Sequence, residues 1–422
     1  MSYLYEKWLV TARTFKSERA LIDIASGNSW TFADLLREAE RTIPQPSPIT
    51  YPRGSASEFI FSILRAWRAN SITCPLEASQ SPPQLPTPPP NIAHLKLTSA
   101  TTGAAKCIAF TGPQLAADAA NIVSTMQLTP AAPNLACISL AHSYGFSNLI
   151  LPLLLHGIPL ILLPAPLPEL LLRAAKQFPS ITLPAVPALW KTWHQSNSIP
   201  PNTTVAISAG APLPLELESA VFQKKNLKIH NFYGSSECGG IAYDRTATPR
   251  TAANCAGSAL DNVALSLSDS GTLVIESAVV GETYFPEPQP SLRPGRFETA
   301  DLAELRESLV FLHGRASDLL NIAGRKASPE SIEAILRTHP AVLECIVFGI
   351  QSDDRADTVV AALSTKTELP ISDLTNFLSQ KLPAWQIPRR WWFTNELAPN
   401  IRGKISRAEW KRRYLEGNKN VD

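Results

Sequence analysis

Along the chain, apolar and polar positions fall into short blocks whose period changes from block to block. Residues 58–67 (EFIFSILRAW) keep their polar side chains on one helical stripe, which predicts an amphipathic helix. Trp30-Thr31-Phe32-Ala33-Asp34 predicts a helix start, with Thr31 as the cap and Asp34 in the place of the usual Glu. The most apolar stretch, 149–163 (LILPLLLHGIPLILL), is interrupted by Pro152, His156, Gly157 and Pro159. A membrane helix needs about 20 cleaner residues, so this stretch predicts a buried helix, a turn at His156-Gly157 and a buried strand. Residues 82–90 (PPQLPTPPP) hold six prolines and predict an extended linker. A strand at 94–98, a Ser/Thr/Gly loop and a helix over 112–126 follow, an order suited to holding phosphate. From 128 to 230 buried strands and helices alternate, and 255–312 reads as short strands and turns.

Past a boundary near 313–320 the pattern changes. Ser328-Pro329-Glu330 opens a helix, with Ser at the cap and Pro at the first helical position. Strands at 343–348 and 359–363, a helix at 371–381 and a basic tail complete it. The fold class is therefore α/β: a large layered N-terminal α/β domain, 1–314, and a smaller α+β C-terminal domain, 315–422. A length of 422 residues agrees with two to three domains of about 100–200 residues.

Composition narrows the function classes. At 45% hydrophobic residues the chain can bury a large core, and the 37 prolines against 19 glycines point to rigid loops. A net charge of +2 supplies no strong field toward nucleic acid or a membrane surface, so neither is expected as a partner. The six cysteines form no CxxC pair, and the N-terminus lacks the apolar core of a signal peptide. Both features predict reduced thiols and a cytoplasmic location.

Three stretches carry chemistry. Thr98-Ser99-Ala100-Thr101-Thr102-Gly103-Ala104-Ala105-Lys106 offers hydroxyls and a lysine to phosphate oxygens, without the spacing of a Walker loop. Phe232-Tyr233-Gly234-Ser235-Ser236-Glu237 pairs an aromatic face for a purine with a carboxylate and hydroxyls for Mg²⁺. Asp301, expected at a strand end, can accept from ribose hydroxyls. Taken singly, each also fits an ordinary loop, turn or cap.

Their order changes the reading. TSATTGAAK (98–106), AHSYGF (141–146), SAGAPLP (208–214), NFYGSSE (231–237), TADLAEL (299–305), GRASDLLNIAGRKASPESIE (314–333), HPAVLECIVFG (339–349) and RGKISR (402–407) follow one another as in the adenylate-forming superfamily. The chain resembles these acyl- and aryl-CoA ligases, adenylation domains and luciferases over about three quarters of its length. It departs from them at Ala100, Ala105, Ala300, Ser317 and Arg402, as a short, divergent member would.

The resemblance implies ATP and Mg²⁺ as cofactors and assigns the site residue by residue. Thr98, Ser99, Thr101, Thr102, Gly103 and Lys106 would hold the β- and γ-phosphates. Gly210, Ala211 and Pro212 would run along adenine and the acid. Asn231 would bond the adenine amino group, Tyr233 would stack on the ring beside Gly234, and Ser236 would touch the α-phosphate. Glu237 would be the metal ligand, Asp301 and Arg315 the ribose pair, and Lys326 part of the nucleotide-binding set. His142 would gate the carboxylate, and Lys404 would reach the α-phosphate and acyl oxygens. The small domain would then turn, with Gly324 approaching the arm of a pantetheine thiol.

The implied function is an ATP-dependent acid–thiol ligase working through an acyl adenylate, with CoA or the phosphopantetheine of an acyl carrier protein as acceptor. An enzyme that stops at the adenylate or uses a non-thiol acceptor, and a non-catalytic binding protein on the same fold, remain alternatives. His142, Tyr144, Phe146, Ala209, Gly210, Gly239, Gly240 and Ile241 would surround the acid. Aromatics beside small residues favour an aryl or medium acyl group. No buried cation for a second carboxylate is evident in the sequence.

Overall fold

The computed structural model describes residues 2–41, 47–54, 56–97, 106–351, 357–398 and 405–417. Contacts divide the chain into two units: residues 1–266, 274–298 and 306–310 form one, and 267–273, 299–305 and 311–422 the other.

The first unit is built on a mostly parallel sheet. Arg19–Asp23, Leu160–Leu162, Asn134–Ala136, Ile181–Ala185, Thr203–Ser208 and Ile229–Ser235 run parallel to their neighbours in that order. Gly239–Tyr243 and Cys255–Ala259 extend the sheet antiparallel. The central strands are apolar almost throughout because both faces are covered. One covering layer packs Trp190, Trp193, Leu171 and Val221 into a core with Leu183, Ala206 and Ile229.

Local signals set the helices. Thr31 and Asp34 form the expected reciprocal cap: the Asp34 amide donates to the Thr31 hydroxyl at 3.1 Å, and the Thr31 amide donates to the Asp34 carboxylate at 2.9 Å. The helix Ser57–Arg68 buries Phe59, Ile60, Ile63, Leu64 and Trp67. The stretch 149–163 resolves as expected: Leu151–His156 is helical, Gly157 ends it at φ +72, and Leu160–Leu162 is a buried strand.

A second sheet of this unit corrects one expectation. The loop after Ile92–Leu97 does not lead straight into a helix; it joins two antiparallel strands, because Cys107–Thr111 pairs back with Leu97 opposite Cys107. The helix Gly112–Thr125 starts only after that strand, behind a Thr111–Gln114 capping box. Thr283–Phe285 pairs with Cys107–Thr111 from the other side.

In the second unit, Val342–Gln351 and Asp357–Thr365 pair antiparallel, and Arg390–Phe393 adds a parallel strand that no sequence signal marked. Ile332, Leu336, Leu374 and Leu378 cover one face, and Trp410 with Leu397 covers the other. Ser328 precedes the helix Pro329–Arg337 as expected, but its hydroxyl donates to Glu330 at 2.7 Å instead of capping the backbone.

Candidate active site

Ligands of open parallel sheets bind beyond the carboxyl ends of the strands. Two of the chemical segments lie there on neighbouring strands: Ala209-Gly210 follows Thr203–Ser208, and the 236–238 turn follows Ile229–Ser235. Gly210 takes φ +87, which leaves the backbone beside Ala211 and Pro212 without a side chain.

The 236–238 turn is held from several directions. Ser143 donates to the Ser236 hydroxyl at 3.0 Å, so the 141–146 and 231–237 segments meet. The Gly281 amide donates to the Glu237 carbonyl at 2.8 Å. The Tyr284 hydroxyl donates to the Glu237 carboxylate at 3.0 Å. Burial and the neighbouring Glu237 charge push the Tyr284 phenol up, keeping it a donor. Tyr284 stands opposite Ile108 in the sheet, one position from Cys107, and Lys106 precedes that strand. Neither Tyr284 nor Gly281 was marked by sequence pattern.

His142 precedes the short helix Ser143–Gly145, and its Nδ1 accepts from the Tyr144 amide at 3.4 Å. Asn231 donates to the Cys255 carbonyl at 3.2 Å, and Tyr233 is part-exposed on the same strand. Gly234 lies so close to Gly239 that a Cβ there would sit 2.5 Å from the Gly239 carbonyl oxygen.

The acid-pocket expectation needs correction at three places. Phe146 is core: its ring stacks on His94 with centroids 4.2 Å apart. Gly239 and Gly240 do not open space, because a Cβ at either would strike Asp118 or Leu260. The unit also buries cations that the sequence pattern did not reveal. Lys96 is 4% exposed, and Lys228 and Arg250 are buried against Glu218. Burial lowers the Lys96 pKa, and Asp118, Cys238 and Glu237 oppose that shift. Two buried polar atoms nearby have no partner among the described residues: the Tyr144 hydroxyl and the Asn148 Oδ1.

The second unit holds its own candidates. Asp301 lies inside the strand Arg296–Arg306, not at a strand end, and Arg315 Nε donates to its carboxylate at 3.2 Å. Gly324, at φ +80, turns the hairpin of Leu320–Ile322 and Arg325–Ala327, on which Lys326 is exposed. Thr98, Ser99, Thr101, Thr102, Gly103 and Lys404 lie outside the described residues.

No cluster of three His, Cys, Asp or Glu able to hold a metal occurs among the described residues. One carboxylate with adjacent hydroxyls, as at Glu237 and Ser236, fits Mg²⁺, which keeps waters and takes other ligands from substrate phosphates.

The sequence profile of the AMP-binding enzyme family matches residues 55–291, more than half of the chain. The chain belongs to that family. The AMP-binding enzyme C-terminal domain matches residues 331–404. Among relatives of this family, a protein of Mycobacterium tuberculosis named "Probable 2-succinylbenzoate–CoA ligase" is 30% identical over 214 residues, 49% of this chain and 52% of that protein. The chain thus spans about half the length of that relative. A 2-succinylbenzoate–CoA ligase of Bacillus cereus is 26% identical over 331 residues, covering 74% of this chain and 68% of the other. In fold, the chain matches o-succinylbenzoate CoA synthetase of Bacillus subtilis, solved with its acyl-adenylate intermediate. The TM-score is 0.83 at 18% identity, covering 96% of this chain and 97% of that one. A large N-terminal and a smaller C-terminal α/β domain are thus the shared architecture of AMP-binding enzymes and of this chain. No helix among the described residues is long and apolar enough to cross a membrane.

Proposed function

We propose that this AMP-binding enzyme is an AMP-forming acid–thiol ligase that activates an aryl acid as its adenylate and transfers the acyl group to CoA. The observation that carries the reading is the Glu237 turn. It sits beyond the parallel strands, tied to the 141–146 segment by Ser143–Ser236 and to the strand after Lys106 by Tyr284. The named activity of the M. tuberculosis and B. cereus relatives supports both the aryl acid and CoA. A carrier-protein pantetheine is the other thiol to test.

In this mechanism the substrate carboxylate oxygen attacks the α-phosphorus of ATP and pyrophosphate leaves with its bonding electrons. A thiol then attacks the acyl carbon and AMP leaves. Neither step needs a covalent enzyme intermediate; the demand is alignment and charge neutralisation. Glu237 would hold Mg²⁺, which when bound offsets the phosphate charge. Tyr233 and Asn231 would orient the adenine and Ser236 the α-phosphate, with Lys106 as a cation for the phosphates. In the second unit, Asp301 with Arg315 is the ribose pair that the family resemblance implies, and Lys404 its adenylation lysine. The unpartnered Tyr144 hydroxyl favours an aryl acid with a hydrogen-bonding substituent, since a buried orphan costs about 1–3 kcal/mol until it is paired.

ATP–pyrophosphate exchange over a panel of aryl and alkyl acids, with mass spectrometry for adenylate and thioester, tests this. Exchange with substituted aryl acids and thioester only when CoA is added are the expected results. Adenylate that never reaches any thiol would support the non-thiol alternative, and absence of exchange across the panel would overturn the reading.

A further inference from the structure

We propose that Lys96 is a positioning residue for adenylation, its buried ammonium holding the Glu237 turn in place through Ser147 and Asp118. The inference rests on the proposed role of Glu237. Lys96 lies on the strand Ile92–Leu97 among buried neighbours, where an apolar side chain would satisfy packing. A buried charge there is costly unless it is balanced.

The balance runs through three groups. The Lys96 ammonium lies 3.4 Å from the Ser147 hydroxyl and 4.4 Å from the centre of the Phe110 ring. Ser147 donates to Asp118 Oδ2 at 2.6 Å. Asp118 Oδ1 accepts the Gly240 amide at 3.2 Å. Gly239, at φ +63, leaves the room that this carboxylate fills: a Cβ there would sit 2.1 Å from Oδ1. The relay therefore ends on the first residues of the strand that follows Glu237.

It also reaches the turn from the other side. Ser147 lies four residues beyond Ser143, within one continuous helical run, and Ser143 bonds Ser236. Without the lysine charge, buried Asp118 loses the neighbouring buried cation that offsets it. Its grip on Ser147 and Gly240 then changes, and both supports of the turn change with it. Members of a buried polar network are not additive, so one deletion is felt at the others.

Two variants test this. Lys96→Met removes the charge at similar length; Ser147→Ala cuts the link while keeping both charges. The first readout is hydrogen exchange of the full-length protein without substrate. Faster exchange in 237–241, with 203–208 unchanged, is expected for both variants. The second is the Mg²⁺ dependence of pyrophosphate exchange against the rate of thioester formation from supplied acyl adenylate. Loss of a group supporting a metal ligand typically costs about 10–100-fold in metal affinity, so half-saturating Mg²⁺ should rise about tenfold in Lys96→Met while the second half-reaction is kept. Unchanged exchange in 237–241, or equal losses in both half-reactions, would overturn the proposal. A wild-type chain that activates no acid would sink the functional reading alone, because hydrogen exchange still decides the relay.

Discussion

Tyr284 shows how much a single hydroxyl controls. It donates to the Glu237 carboxylate, and its raised pKa keeps the proton on the phenol through the neutral range. Hydrogen bonds to a charged group are worth about 1.5–3 kcal/mol. Tyr284→Phe should therefore weaken the Mg²⁺ response of adenylation by about tenfold, with little change in melting temperature because Glu237 is part-exposed. A magnesium titration of pyrophosphate exchange that superimposes on wild type would remove Tyr284 from the site. His94 makes a different prediction. It bonds Thr73 at 2.8 Å, and burial, helped by Lys96, holds its pKa well below the ordinary value. The folded state thus refuses a proton that the unfolded chain accepts below its pKa of about 6.5. Stability is complete above that pH and falls as pH drops through it, by up to about 1.4 kcal/mol per pH unit for one proton. In urea unfolding between pH 7 and 5, His94→Gln should flatten the acid limb in part, while His230, also kept neutral by burial, retains its share. Equal slopes would contradict this.

At the scale of elements, the run Phe146–Ile150 departs from α-helical geometry into a π-turn just ahead of the helix Leu151–His156. Pro152 explains the difference. It has no N–H for the Asn148 carbonyl four residues back, and the Asn134 side chain donates there at 3.2 Å. Asn134→Leu should cost about 1–3 kcal/mol through that orphaned carbonyl. Because this turn carries Ser147 and continues directly from Ser143 and Tyr144, the variant should also raise KM for the acid; a thermal melt and an acid titration check the two effects. Sequence pattern reached the helices through caps and amphipathic spacing, as at Thr31–Asp34 and 58–67. It did not reach the strands Cys107–Thr111 and Arg390–Phe393, whose pairing partners are set only by the fold. Nor could it mark Lys96 or Tyr284. The groups that give them meaning, Asp118, Ser147 and Glu237, are brought near only by folding.

At the scale of the molecule, the motif order revealed the family, but the support beneath each motif is visible only in the fold. The RGKISR segment is the clearest case. Arg407 begins the helix Arg407–Gly417, three residues after Lys404. Its guanidinium bonds Asp318, Glu330 at 2.7 Å, Glu333 at 2.8 Å and the Val347 carbonyl at 2.8 Å. Burial alone would lower its pKa, yet these carboxylates, Glu333 foremost, raise it, so the charge is permanent. One side chain thereby ties the chain next to Lys404 to the segment just after Arg315 and to the helix Pro329–Arg337, all inside the second unit. The cluster is part-buried, with only Glu333 fully buried, and a hydrogen bond to a charged group is worth about 1.5–3 kcal/mol. Arg407→Met should therefore lower hydrogen-exchange protection in Val342–Gln351 and leave the first unit's strands as they were. It should also slow adenylation if the resemblance places the adenylation lysine correctly at Lys404, three residues before Arg407. Lys404→Ala should abolish adenylation and spare thioester formation from supplied adenylate. Arg407→Lys cannot rescue the first variant, since a single ammonium cannot make the guanidinium's forked contacts to separate carboxylates. If Arg407→Lys restored both protection and adenylation, charge alone would suffice and the geometric anchor would be wrong.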